Sequence, residues 1–252
     1  MYVVIMHHWQ EASAQQTQAL AAVLQVTAFD ARQRLFGRGP AVVATFAELD
    51  PAQALLMKLQ QAGFRGFVVD TSATRARNSF YMVHRFELAD AMLHVKEAGG
   101  RSCRVTYREV NLLLPATRFT GHAETQTVTE RKISMGKTLM TGGLPMARKI
   151  KRQVVLSSEE RERVLYLYAA NRPWFLFPQG GMVYDGLGAK MNPSREMNFN
   201  ALVAELRLRC PAAFYDDRLL NRAGQPRLLG PLLRPEANLD LAVEILAREA
   251  EG

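Results

Sequence analysis

The sequence predicts an α+β protein. A small two-layer α/β sandwich domain occupies residues 1–70 and a linker 71–79. A β-rich, barrel-like domain with a closing helix follows over 80–210, and a turn-rich extension with a terminal helix over 211–252. Three observations carry this reading. Strand-length apolar runs alternate with helical periodicities up to residue 70. From residue 80 the apolar runs are short and separated by turn residues. Only the stretches after Ser194 and Asn238 then carry a helical stripe. At 252 residues and 48% hydrophobic content the chain can bury a sizeable core.

Residues 2–7 are rich in Val and Ile and alternate only weakly, which reads as a first strand rather than a secretory signal, since no basic flank precedes them. Ala14 to Val26 places Leu20, Val23 and Leu24 at helical spacing. Thr27 caps a second short helix through Leu35, and Gly37-Arg38-Gly39-Pro40 stops it before the apolar run Ala41 to Phe46. Asp50-Pro51 reads as an N-cap with proline at the first helical position, leading through Ala54, Leu55, Met57 and Leu59 to the stop at Ala62-Gly63. Phe67-Val68-Val69 is a third strand, so the order is strand, two helices, strand, helix, strand: a sheet with helices on one face.

The run Asp30-Ala31-Arg32, then Gly39-Pro40-Ala41-Val42-Val43, then a helix ending Leu59-Gln60-Gln61-Ala62-Gly63-Phe64, resembles the C-terminal domain of the bacterial ribosomal stalk protein and the Clp-protease adaptor that shares its fold. The resemblance covers about the first seventy residues and implies a protein-binding module. The adaptor's binding motif has no counterpart in His7-His8-Trp9-Gln10-Glu11-Ala12-Ser13, and the stalk domain's lysine-rich face is only partly echoed by Arg32, Arg34 and Arg38.

Thr71 to Ser79 is polar and reads as the linker. Beyond it, Tyr81–Leu88, Met92–Lys96, Arg101–Tyr107 and Val110–Leu114 are strand-like, with Gly99-Gly100 as a hairpin signal. Thr125–Ser134 and Lys149–Leu156 read as strands flanking a Gly, Met and Pro loop, so residues 125–156 form a basic hairpin. Val164–Tyr168, Trp174–Phe177 and Met182–Tyr184 complete the strands. Ser194 then caps a helix with the stripe Phe199, Leu202, Val203, Leu206 and Cys210. Strands followed by one amphipathic helix resemble a pleckstrin-homology-like barrel in order alone. Asn238 opens a terminal helix with Leu239, Ala242, Val243 and Leu246 on one side, suited to docking across a domain or pairing with another chain.

The net charge of +8 is concentrated. Arg131, Lys132, Lys137, Arg148, Lys149, Lys151 and Arg152 lie in a stretch, 131–152, that holds no acidic residue, and the rest of the chain is nearly neutral. These seven are the expected contacts for an anionic partner, whether an acidic protein, nucleic acid or anionic lipid headgroups. No aromatic residue interrupts 131–152, so the segment offers phosphate contact without a stacking platform for bases.

No catalytic pattern is complete. Gly136-Lys137-Thr138 has Arg131 where a phosphate loop needs its first glycine, and Gly186-Leu187-Gly188 lacks the third glycine of a dinucleotide fingerprint. His7 and His8, adjacent on a strand, point to opposite faces; His84, His94 and His122 have no helical mate or Cys partner for a metal. Asp216-Asp217 reads as a cap or as a partner of Arg218. Cys103 and Cys210 fit buried thiols of a reducing cytoplasm, and Trp9, Trp174, Phe175, Phe177 and Tyr184 read as core. The expectation is a non-enzymatic cytoplasmic protein-binding or adaptor protein that uses no cofactor or metal. A phosphate-directed nucleic-acid or ribosome-associated protein is the alternative, and an enzyme without a recognisable motif a third.

Overall fold

The computed structural model describes residues 1–9, 13–36, 39–74, 80–133, 147–170, 172–221, 223–231 and 233–251, with the backbone alone described over 120–133 and 147–160 and at residue 236. The protein is mixed α+β, as the sequence predicts. It divides into a compact unit formed by residues 1–118 and 162–252 and a second unit, 119–161.

The first sheet contains β1 (Tyr2–His7), β2 (Ala41–Phe46) and β3 (Arg65–Asp70) in the order β2-β1-β3, with β1 antiparallel to both neighbours. Helices α1 (Ala14–Leu24), α2 (Ala28–Arg34) and α3 (Leu49–Gln61) connect these strands. A capping box starts α1: the Gln16 amide donates to Ser13 Oγ at 3.1 Å and the Ser13 amide to Gln16 Oε1 at 3.2 Å. Thr27 caps α2 as expected, accepting from the Asp30 amide at 3.1 Å. Helix α3 starts two residues before Pro51, at Leu49, with Glu48 rather than Asp50 as its N-cap. Proline is tolerated in the first turn because its missing N–H would have had no helical partner. Its buried side is Ala52 and Leu59, with Leu55 and Leu56 partly buried, whereas Ala54 and Met57 are exposed.

The sheet is covered on both faces, not one. Val4, Met6 and Val43 pack with Leu20, Ala31 and Leu59 of the three helices. Val3, Ile5, Val42 and Val69, pointing the other way, join a different core. A strand apolar on both faces has no alternation to show, which explains the weak pattern of residues 2–7.

The remaining strands are β4 (Tyr81–Met82), β5 (Arg85–Leu88), β6 (Met92–Lys96), β7 (Ser102–Thr106), β8 (Val110–Ile133), β9 (Ala147–Ala169), β10 (Phe175–Pro178) and β11 (Phe214–Tyr215). The later helices are α4 (Arg195–Arg209), α5 (Gly224–Leu229) and α6 (Pro235–Glu251). One sheet runs β11-β8-β9-β10-β4 and a smaller one β5-β6-β7. Neither closes into a barrel among the described residues, so the barrel-like expectation gives way to open sheets. The hairpin expected at Gly99-Gly100 joins β6 to β7, with Gly100 at φ +88°.

Two cores flank the larger sheet, and its side chains alternate between them. Leu112, Leu114, Val164, Tyr166, Trp174 and Leu176 face the core that contains α6 and the first sheet. Leu113, Leu165, Leu167, Phe175 and Phe177 face a core closed by Phe199, Leu202 and Leu206 of α4 and by the small sheet. Ser194 caps α4 as expected, and the buried Asn198 side chain ties the preceding turn by bonding the Asn192 amide at 2.6 Å and carbonyl at 2.8 Å.

Helix α6 begins at Pro235, and Asn238 is a non-helical kink within it rather than its start. Residues 241–247 are all buried. The expected one-sided stripe is therefore a helix enclosed on several sides, and its apolar surface is used within the unit. Leu239, Leu241, Ala242, Val243, Ile245, Leu246 and Ala247 share their core with strands of the first sheet and of the five-stranded sheet. The α/β layer and the strand-rich part thus have a core in common across the expected linker. Of that linker, residues 75–79 lie outside the described residues; Thr71 to Ala73 form a 3₁₀ turn whose first amide bonds the Met1 carbonyl at 2.9 Å, and Thr74 is buried.

The expected strand 110–114 and residues 125–133 of the expected strand 125–134 prove to be parts of one 24-residue strand, β8, with Ser134 outside the described residues, and 149–156 and 164–168 are parts of the 23-residue β9. Polar stretches such as Ser157 to Arg163 break the hydrophobic pattern without breaking the strand. Met182–Tyr184 contributes only an isolated bridge, from Val183 to Arg85.

Candidate anion-binding surfaces

Strands β8 and β9 are hydrogen-bonded neighbours, and two contacts join them within the larger unit. The Ala170 amide bonds the Glu109 carbonyl at 3.1 Å, and Arg118 pairs with Glu162 at 2.7 Å. Strand β8 ends at Ile133 and β9 begins at Ala147. Arg131 and Lys132 therefore lie in the last three residues of β8, and Arg148, Lys149, Lys151 and Arg152 in the first six of β9. Lys137, the Gly136-Lys137-Thr138 stretch and the rest of the loop 134–146 lie outside the described residues.

Residues 119–161 form a unit of their own. The described pairings of β8 and β9 with other strands involve Leu112–Leu113 and Val164–Leu167, so within 119–161 neither strand has a third partner among the described residues. A two-stranded ribbon carries unpaired backbone groups along both edges and is marginally stable alone in water.

The other sequence candidates are separated by the fold. Strand β1 ends at His7, and His8 takes a left-handed φ of +53°, which brings the two imidazoles together. Their ring centroids are 4.6 Å apart, with the two Nδ1 atoms in contact, so the extended geometry that would oppose them does not apply. Burial, then His8 and Arg65, lower the His7 pKa. Among the described residues no group of three or more His, Cys, Asp or Glu is placed to hold a metal.

Asp216 pairs with Arg218: the Arg218 amide donates to Oδ1 at 2.8 Å and Nε to Oδ2 at 2.7 Å. Glu249 of α6 completes the cluster at 2.9 Å from Arg218 Nη2. Burial raises the Glu249 pKa, against the pull of Arg218. This arrangement ties the β11 turn to α6 and leaves Asp216 engaged in structure. The Cys210 thiol is pushed up to about 11 by burial, far from a reactive thiolate. The five aromatic candidates are buried and fall into three separate cores, with Trp9 in one, Trp174 in a second and Phe175, Phe177 and Tyr184 in the third. Gly186 serves packing: a Cβ there would lie 2.0 Å from the Phe86 carbonyl oxygen.

One surface escapes the sequence reading. The exposed face of β5-β6-β7 borders a cavity of roughly 690 Å³ lined by Arg85, Glu87, His94, Lys96, Ser102, Arg104 and Arg172, among others. The alternations Arg85-Phe86-Glu87-Leu88, Leu93-His94-Val95-Lys96 and Ser102-Cys103-Arg104-Val105 were visible in the sequence. Each alone looks like an ordinary solvated strand face; the register that sets them side by side comes from the pairing.

Among the described residues no helix is long and apolar enough to cross a membrane. Comparison with protein-family models, with curated proteins and with solved structures finds no match to this chain.

Proposed function

We propose that this chain is a non-enzymatic binding protein, an adaptor in the broad sense, whose hairpin 125–156 is its contact for an anionic partner. The supporting observation is the basic, acid-free stretch 131–152, whose described part is the end of β8 and the start of β9, with no third strand paired within 119–161 among the described residues. Folding alone gains little from crowding cations at the end of such a ribbon; an oppositely charged partner supplies the missing interaction.

A protein with an acidic surface is the first reading. Open ribbon edges accept an extended segment by strand addition, and the cations select an acidic one. The resemblance of residues 1–70 to a protein-binding module points the same way. The second reading is nucleic acid, because a two-stranded β-ribbon fits a duplex major groove and the cations would contact phosphates.

Affinity capture from cell extract with the full chain, with and without nuclease, is the test. The control bait carries Lys149→Glu, Lys151→Glu and Arg152→Glu. An acidic protein retained after nuclease by the wild type and lost by the variant supports the first reading, and nuclease-sensitive capture supports the second. Equal capture by both baits refutes the role of the hairpin.

A further inference from the structure

We infer that the exposed face of the β5-β6-β7 sheet is a second anion site, separate from the hairpin, which takes a small compound bearing several phosphate groups. The register makes the case. Arg85 stands directly across from Lys96, and Lys96 directly across from Ser102, which places Arg104 two residues along β7 from that partner. Residues directly opposed in a sheet have Cβ atoms about 5 Å apart and diagonal ones about 7–8 Å apart, so Arg85, Lys96 and Arg104 form a row of cations centred on Lys96. Like charges directly opposed oppose strand pairing unless an anion lies between them.

The nearby acids leave that row positive. Glu87 stands opposite His94 and approaches its Nδ1 at 3.6 Å, and Arg172, at the rim, meets Glu109 only at 3.9 Å. Arg85, Lys96 and Arg104 have no ion-pair partner among the described residues. His94 Nε2 is a buried ring nitrogen with no hydrogen-bond partner. The cavity therefore combines four permanent cations with one carboxylate.

Shape and chemistry select the ligand class. A cavity of roughly 690 Å³ has the volume of a small-molecule site. Of its two ring-bearing lining residues, Phe86 is buried in the core beneath the sheet and His94 lies against Glu87, so no Phe, Tyr or Trp face is offered for stacking a base. Guanidinium groups match phosphate oxygens two at a time, and a single phosphate would leave most of the row uncompensated. The strand pairing fixes the backbone positions from which these side chains extend.

The experiment is isothermal titration of the full chain with inorganic tripolyphosphate and, separately, orthophosphate, at low salt and at about 0.15 M salt. It is performed in the Lys149→Glu, Lys151→Glu, Arg152→Glu background, which lowers the net charge of 131–152 from +7 to +1. The expected result is one saturable site for tripolyphosphate, at least about tenfold tighter than for orthophosphate. Lys96→Gln and Arg104→Gln should each weaken it several-fold, and Lys96→Glu should abolish it, with the thermal midpoint of each free variant unchanged or raised. No saturable binding, equal affinity for the two probes, or binding indifferent to Lys96→Glu overturns the proposal. Because the hairpin is nearly neutral throughout and the Lys96 and Arg104 variants leave it untouched, failure here leaves the hairpin reading standing, and failure of the extract capture leaves this one standing.

Discussion

Replacing Leu246 by Ala tests whether the α/β layer and the strand-rich part are one cooperative body. Leu246 is fully buried on α6, in the core that also holds Val3 and Ile5 of the first sheet and Leu112 and Tyr166 of the larger one. Deleting a buried leucine to alanine costs about 3–5 kcal/mol where the surroundings cannot collapse into the cavity. Neighbours fixed in two sheets have little room to move, so a loss of about 3 kcal/mol or more is expected, lowering Tm by roughly 6–12 °C in a protein of this size. The chain supplies one reporter for each part, because its two tryptophans sit in different cores: Trp9, whose indole N–H donates to the Leu35 carbonyl at 2.9 Å, and Trp174. Denaturant titration of Trp9→Phe and Trp174→Phe, each with and without Leu246→Ala, reads the two parts separately. Coincident transitions that shift together support the shared core. A Trp9 signal unmoved by Leu246→Ala would refute it and restore an independent N-terminal domain.

Other expectations follow from particular contacts. Cys103, half-buried, should be alkylated by iodoacetamide in the native protein at about pH 8, whereas Cys210, buried and with its thiol pushed up to about 11, should react only after unfolding; comparable native labelling by mass spectrometry contradicts that placement. Arg218→Met leaves Asp216 and Glu249 without their guanidinium and should cost about 2 kcal/mol, less than the 3–5 kcal/mol of a fully buried pair because Arg218 is one-third exposed. The cost should shrink as pH falls, since the raised pKa of Glu249 means that the folded state takes up its proton readily; a penalty that grows in acid contradicts this. Glu205 has the opposite sign: its hydrogen bond from Lys190 lowers its pKa, so its stabilisation is present above the usual carboxylate range and lost as pH falls through the lowered value. Glu205→Gln should therefore narrow the difference in thermal midpoint between neutral pH and about pH 3, and an undiminished difference contradicts the pairing.

Local signals in the sequence read well where one residue decides the outcome. Thr27 and Ser194 begin helices because their hydroxyls take an orphan amide, and the glycines at 99 and 100 turn a hairpin. What the sequence did not convey depends on which surfaces meet. The stripe on α6 looked like a docking face because nothing local reveals that strands from distant parts of the chain cover the helix. Likewise, β8 and β9 looked like four strands because their polar stretches carry no burial pattern, although the backbone runs through them. The charge of the hairpin was legible by counting. The cation row on the small sheet was not, since it needs the pairing of residues 85, 96 and 104 across three strands.

The central claim is that the hairpin is an anion contact, and a salt titration tests it most directly. Binding of the full chain to a fluorescent duplex is measured across a range of salt concentrations, for the wild type and for the Lys149→Glu, Lys151→Glu, Arg152→Glu variant, with Lys96→Glu in both to silence the small sheet. With each phosphate contact adding about 0.9 to the slope of log affinity against log salt, the seven cations set a ceiling of roughly 6 for the wild type. The account predicts a measurable wild-type slope below that ceiling, reduced by about 3 or lost altogether in the variant. Equal affinities and equal slopes for the two proteins would contradict it.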